Sequence, residues 1–114
     1  SQFVPLQELG ELFLTNKVFS PDNDGHEDVL QIRYKLSESE MLANIQIYDD
    51  YGRLVRKLKE NEYLGTEGVF TWDGVNDAGT KASIGQYIVV FEAFQPNGGK
   101  KFGARKVCIL AGKL

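Results

Sequence analysis

The sequence is poor in the residues that most often carry out chemistry. Its 114 residues include one cysteine, one histidine, one tryptophan and one methionine. The single cysteine excludes an internal disulfide and any metal site built from several cysteines. Because Cys108 lies within the apolar run Val107–Leu110, we predict a buried structural thiol rather than a nucleophile. No glycine-rich phosphate loop follows a strand, and no opposed carboxylate pair can be placed in a cleft, so we do not predict an enzyme.

Long apolar runs and an excess of positive charge are also missing. No run approaches the ~18 apolar residues of a membrane-spanning segment. Thirteen basic and sixteen acidic side chains give a net charge of −3, which argues against a dedicated nucleic-acid-binding domain. The only local basic cluster flanks a glycine-rich turn, so we interpret it as solvated hairpin charge. Its members are Lys100, Lys101, Arg105 and Lys106.

What the sequence does contain is apolar residues at every second position. From Val29 to Leu36 the alternation is strict, which is typical of a half-buried antiparallel strand. Similar segments recur between short turns rich in glycine, asparagine and aspartate. We count about seven strands, and at most a brief helical turn over Glu60–Leu64. The pattern predicts an all-β protein, an immunoglobulin-like antiparallel β-sandwich.

The strand pattern also divides the chain. Residues 1–11 lack a clear period and are predicted to be a linker or the remnant of a preceding domain, and residues 12–114 to form the sandwich. The first strand is predicted over Leu12–Phe19 and the last over Arg105–Ala111. Because the chain begins at Ser1 and not at a methionine, we interpret it as a piece of a longer protein, so its lack of a secretory signal peptide is uninformative.

The alternation also predicts the core. Trp72 is the expected contact between the two sheets, and its indole N–H then needs a hydrogen-bond acceptor. The residues predicted to be buried are Leu30, Ile32, Tyr34, Ile45, Ile47, Trp72, Val89, Phe91, Val107 and Ile109.

The densest cluster of oxygen-bearing side chains lies in the loop Ser20–Asp28. With Gly25 at the position where a calcium loop bends, three carboxylates fall at ligand positions. These are Asp22, Asp24 and Asp28. The alternative is a turn in which Asp and Asn side chains accept hydrogen bonds from the backbone, and both interpretations stay open. We expect no cofactor, with calcium in this loop as the open alternative, and we interpret His26 as a solvated side chain.

A second polar loop follows Trp72. It contains Asp73, Asn76 and Asp77. These side chains could complete a metal shell only if the fold brought them beside the first loop, and we favour two consecutive tight turns. Asp49 and Asp50 are interpreted as a hairpin tip.

Several segments, in the right order, resemble a bacterial Ig-like module found in the flagellar hook-capping protein and at the C-terminus of secreted Bacteroidetes proteins. They are Phe19–Leu30, Ile45–Arg56, Trp72–Gly74, Asp77–Gly79 and Gly85–Tyr87. Asn23 and Glu27 depart from the usual glycine and asparagine of the module. The resemblance implies a β-sandwich that serves as an accessory domain, and related terminal domains are sorting signals for the type IX secretion system. The closing segment Lys106–Leu114 looks like the terminal strand of such a signal, with a basic end.

We therefore predict a non-catalytic C-terminal module of a larger exported protein, acting in type IX sorting or cell-surface attachment. The implied partner is the secretion machinery or a surface protein. The implied location is the cell surface or the extracellular medium, with the periplasm in transit, and the isolated domain is expected to be a monomer. Two alternatives are a structural spacer whose strand edges pair with a partner, and a calcium-dependent carbohydrate-binding module.

Overall fold

A computed structural model describes residues 10–21 and 28–112 of the chain. Within these ranges all regular structure is strand, as the alternation predicts, and no helix is long and apolar enough to cross a membrane. The eight strands are β1 (Gly10–Thr15), β2 (Val18–Phe19), β3 (Leu30–Leu36), β4 (Met41–Asp49), β5 (Leu54–Leu64), β6 (Glu67–Trp72), β7 (Gly85–Phe94) and β8 (Lys101–Leu110).

The strands form two sheets that pack face to face. One sheet has three strands in the order β1-β3-β6, and the other has five in the order β2-β8-β7-β4-β5. Every pairing is antiparallel except that of β2 with β8, which is parallel. The apolar faces of both sheets point at each other, which is how a half-buried strand hides its apolar side. The predicted Ig-like β-sandwich is confirmed.

The first predicted strand is in fact two strands in different sheets. β1 pairs with β3, whereas β2 pairs with β8 in the opposite sheet. The chain changes sheet at Asn16, whose φ of 60° is left-handed, a conformation that asparagine adopts more readily than most residues. β1 also begins at Gly10, so the strand includes the last two residues of the predicted linker, and residues 1–9 lie outside the described part.

The helical turn expected over Glu60–Leu64 is wrong. This segment is the second half of β5, which pairs with β4 through several register shifts. At one of these irregularities Asn61 has a φ of 51° and donates its backbone N–H to Asn44 Oδ1 at 2.8 Å. Because an inserted residue reverses the inward and outward positions that follow it, the strand shows no simple period in the sequence.

The core confirms eight of the ten predicted positions and corrects two. Val107 and Ile109 are 47% and 44% exposed, so their predicted burial is wrong. In β8 the inward positions are instead those of Phe102, Cys108 and Leu110, which are buried. The run Val107–Leu110 is apolar at every position, and apolar residues on both faces leave the phase of the alternation undetermined.

Trp72 is buried at one end of this core. It is 1% exposed, and its ring makes edge contacts with Phe19 and Tyr87, with ring centroids 5.6 and 5.4 Å apart. Its indole nitrogen donates a hydrogen bond to the carbonyl oxygen of Val75 at 2.9 Å. The predicted contact between the sheets, and the predicted acceptor for its N–H, are both present.

Candidate functional site

The acidic loop is described only at its two ends. Asp22, Asp24 and His26 lie outside the described residues, and Asp28 is half-buried just before β3. Within the described ranges, no group of three or more histidine, cysteine, aspartate or glutamate side chains could hold a metal ion. Calcium binding by Asp22, Asp24 and Asp28 therefore stays a prediction.

The second polar loop begins beside the residue that leads into the acidic loop. Gly74 has a φ of 82°, and a Cβ built on it lies 3.1 Å from Pro21 Cγ and 3.1 Å from Leu110 Cδ1. Any larger residue here meets both a left-handed backbone and two close neighbours. The fold thus places the start of the second loop next to Pro21, at one end of the sandwich.

The polar side chains of the second loop are used to fix turns. Asp73 Oδ1 accepts a hydrogen bond from the N–H of Val75 at 3.1 Å. Asn76 Oδ1 accepts hydrogen bonds from the N–H groups of Ala78 and Thr80 at 3.0 and 2.9 Å. Side-chain oxygens bonded to the backbone two to four residues later are the expected signature of such turns. The interpretation of this loop as consecutive turns is confirmed.

Asp77 has a further role that the sequence does not reveal. Its carboxylate accepts the N–H of Lys57, with oxygen distances of 3.0 and 3.2 Å, and its own N–H donates to the carbonyl of Val55 at 3.0 Å. The loop therefore occupies part of the outer edge of β5, where an added strand would otherwise pair. The contact joins residues twenty positions apart, and no local pattern in the sequence signals it.

The predicted hairpin tip at Asp49 is also confirmed. The carboxylate accepts hydrogen bonds from the N–H groups of Tyr51 and Arg53 at 2.9 Å each, and from Arg53 Nε at 2.8 Å. The hydrogen bond from the Arg53 backbone is the main reason that the pKa of Asp49 is lowered, since it favours the ionised form. This carboxylate is a structural acceptor in the β4–β5 turn.

Cys108 has the properties of a structural thiol. It is 1% exposed on the inner face of β8, and burial raises its pKa to about 12. A thiol with that pKa stays protonated at neutral pH, and the protonated form is a poor nucleophile. The predicted structural role is confirmed.

The basic cluster lies along the β7–β8 hairpin and on β8 itself. Lys100 Nζ lies 3.4 Å from Glu38 Oε1 in an exposed ion pair, which contributes little to stability. Lys101, Arg105 and Lys106 are exposed. In the closing segment Lys106–Leu114, β8 ends at Leu110, and residues 113–114 lie outside the described part.

A family model described as the CHU_C type IX secretion signal domain matches residues 12–106. This is most of the chain, and the chain therefore belongs to this family. The match runs from β1 into β8 and ends before the last four residues of that strand. The type IX part of the predicted resemblance is confirmed: the domain is a type IX secretion signal domain, and the protein that carries it is exported.

Solved structures of the same fold include two proteins from Porphyromonas gingivalis. Dimeric latent PorU matches with a TM-score of 0.65 and 23% sequence identity, over 92% of this chain and 9% of that chain. PorZ, an essential bacterial surface component of the type-IX secretion system, matches with a TM-score of 0.50 and 20% identity, over 87% of this chain and 11% of that chain. The chain thus spans about a tenth of each. A comparison with curated proteins finds no match.

Proposed function

We propose that this domain directs a larger passenger protein through the type IX secretion system to the cell surface or the medium, with the periplasm as an intermediate location. The observation that carries the proposal is the family match over residues 12–106. It is supported by the fold of the described residues, in which each of the strands β1–β8 lies within that range or overlaps it. A folded sandwich presents a defined surface that the secretion machinery can recognise.

We also propose that the domain carries out no catalysis of its own. Its polar loop residues Asp73, Asn76 and Asp77 are engaged with backbone groups. Its single thiol is buried and protonated at neutral pH. Chemistry in the exported protein is then supplied by the passenger, and the partners of this domain are components of the secretion machinery.

The test is a transport experiment in paired strains. The chain is fused to the C-terminal end of a periplasm-directed reporter and expressed in one strain with a working type IX system and one without. We expect reporter on the cell surface or in the medium only in the first strain, with surface-bound reporter removed by protease added to intact cells. Reporter retained in the periplasm of both strains, with the domain folded, contradicts the proposal and favours the spacer.

A further inference from the structure

The two outer faces of the sandwich differ in character. On the three-stranded sheet, neighbouring strands place charges of opposite sign side by side. One such row consists of Glu11, Lys35 and Glu67. In the next row the exposed apolar residues Phe13 and Val69 are separated by Arg33. This face is polar and its charges balance, as expected of a surface in contact with water.

The outer face of the five-stranded sheet is apolar over a wider area. Strand register places four apolar residues in one continuous row across β8, β7, β4 and β5. They are Val107, Ile88, Tyr48 and Leu54. Next to this row Val18 of β2 pairs with Ile109 of β8, and they are 47% and 44% exposed. In the row, Val107 and Leu54 are exposed, and Ile88 and Tyr48 are half-buried. Apolar residues that reach the surface side by side mark interaction surfaces more often than isolated ones do.

The same face has a recessed centre. A cavity of about 470 Å³ lies over Gly103, Asn44 and Phe94, and a second of about 370 Å³ lies over Tyr48, with Glu92 lining both. At Gly103 a built Cβ meets nothing nearer than the carbonyl oxygen of Phe91 at 4.0 Å. The missing side chain therefore leaves a depression that a partner side chain can fill.

The charge on this face is positive although the chain is negative overall. Lys101 and Arg105 point outward from β8 beside the recess, against Glu92 on β7, whereas the whole chain has a net charge of −3. In the part of the chain that the structure describes, Arg105 forms no ion pair. An unpaired cation at the margin of an apolar surface complements carboxylates on a partner.

We propose that the outer face of the five-stranded sheet docks a protein of the secretion machinery whose contact surface is apolar and bordered by carboxylates. The proposal rests on the proposed function and names the surface through which the signal is recognised. The apolar row around Val107 supplies the buried centre, the depression at Gly103 receives a partner side chain, and Lys101 and Arg105 pair with the acidic border.

The size of the face fits a protein partner. β7 and β8 are ten residues long, and four long strands about 4.8 Å apart with a rise of about 3.3 Å per residue cover roughly 30 by 20 Å. That is about 600 Å², roughly three quarters of the ~800 Å² per partner of a standard interface. A second copy of the chain fits less well, because Lys101 and Arg105 outnumber Glu92 around the recess, so two copies of this face oppose surfaces of like net charge.

The experiment uses the reporter fusion with single substitutions. Arg105→Glu reverses the border charge, and Gly103→Val fills the depression. Arg33→Glu is the matched control, because Arg33 is an exposed arginine on the outer face of the opposite sheet. We expect both test variants to lower the extracellular reporter about tenfold, in line with lost docking affinity, and the control to leave it unchanged. All three purified variants should melt close to the unaltered domain, which excludes loss of folding as the cause.

Photo-crosslinking identifies what occupies the face. Val107 is replaced by p-benzoylphenylalanine, and the same replacement at Phe13 is the control. We expect a crosslink from the Val107 position, and none from Phe13, to a protein other than the chain and its passenger, only in the strain with a working type IX system. A crosslink to a second copy of the chain or to the passenger overturns the assignment of the partner.

The outcomes separate the inference from the function on which it rests. If the unaltered fusion stays in the periplasm of both strains, the proposed function fails and the docking surface fails with it. If the unaltered fusion is exported and the Arg105 and Gly103 variants are exported equally well, only the docking surface is overturned.

Discussion

Trp72 donates its indole N–H to the carbonyl oxygen of Val75 at 2.9 Å, and this bond ties the core to the loop that follows β6. The ring is buried between Phe19 and Tyr87, and the loop begins beside Pro21 through Gly74. One side chain therefore packs the two sheets together and holds the turn that approaches the acidic loop. Loss of this residue affects both.

Substitution of Trp72 tests this double role. Trp72→Ala removes a fully buried ring and should lower the free energy of unfolding by about 3 to 5 kcal/mol, enough to unfold a domain of this size at ordinary temperatures. Trp72→Phe keeps an aromatic ring and loses the N–H donor, so it should cost less. Urea unfolding measures both. Equal losses for the two variants would show that ring packing is unimportant here.

Gly74→Ala tests the close approach of the second loop to Pro21. The new methyl group meets a left-handed backbone and neighbours at 3.1 Å, so the variant should lose about 1 to 3 kcal/mol, as residues held in unfavourable backbone conformations do. Gly79→Ala is the control, since Gly79 has a φ of 85° but nothing within 4 Å. A Gly74 variant that melts no lower than the Gly79 variant would contradict the close packing of Gly74 against Pro21 and Leu110.

Much of this fold could be predicted from the sequence, because burial and strand geometry both leave a period of two. In β3 and β4 the polar and apolar residues alternate cleanly, and every core residue predicted there is buried. In β8 the run Val107–Leu110 is apolar on both faces, so only the register with β7 decides that Val107 points outward. Val107 and the outward residues in its row form part of the proposed docking surface.

The contacts made by Asp77 and Asn16 could not be predicted for a different reason. Asp77 binds the edge of β5, and this edge lies next to Asp77 only after the sheet has formed. The chain changes from one sheet to the other at Asn16, a single left-handed residue. An asparagine between two short apolar segments is equally compatible with a continuous strand. Both features depend on tertiary contacts that local pattern does not encode.

The buried thiol of Cys108 makes the stability of the domain decrease at alkaline pH. Because burial raises the thiol pKa from its ordinary value of 9.0 to about 12 in the folded protein, its contribution to stability is complete below about pH 9 and is lost as the pH rises towards about 12. Cys108→Ala should therefore lose less stability than the unaltered domain between about pH 8 and about pH 11 in urea unfolding. Tyr34 and Tyr87 also have raised pKa values, and they are common to both proteins. If the unaltered domain and Cys108→Ala lost the same amount of stability over this pH range, the burial of the thiol would be contradicted.

Calcium binding by Asp22, Asp24 and Asp28 is a proposal that melting temperatures can test. At a calcium concentration about 100-fold above the Kd, binding stabilises the folded state by ~2.7 kcal/mol, so the melting temperature should rise by several degrees and fall again in chelator. Asp24→Ala should abolish the response, and Asp50→Ala at the β4–β5 hairpin should retain it. An unaltered domain that is indifferent to calcium and chelator leaves only the turn interpretation of this loop.

The central claim is that this folded sandwich is a type IX secretion signal. The most direct test uses the reporter fused to the unaltered chain. The measured quantity is the amount of extracellular reporter in the strain with a working type IX system, divided by the amount in the strain without it. The account predicts a high ratio for this fusion, and a ratio near that of the unfused reporter when the fold is removed by Trp72→Ala. Equal amounts of extracellular reporter in the two strains, with the unaltered domain folded, would contradict the claim.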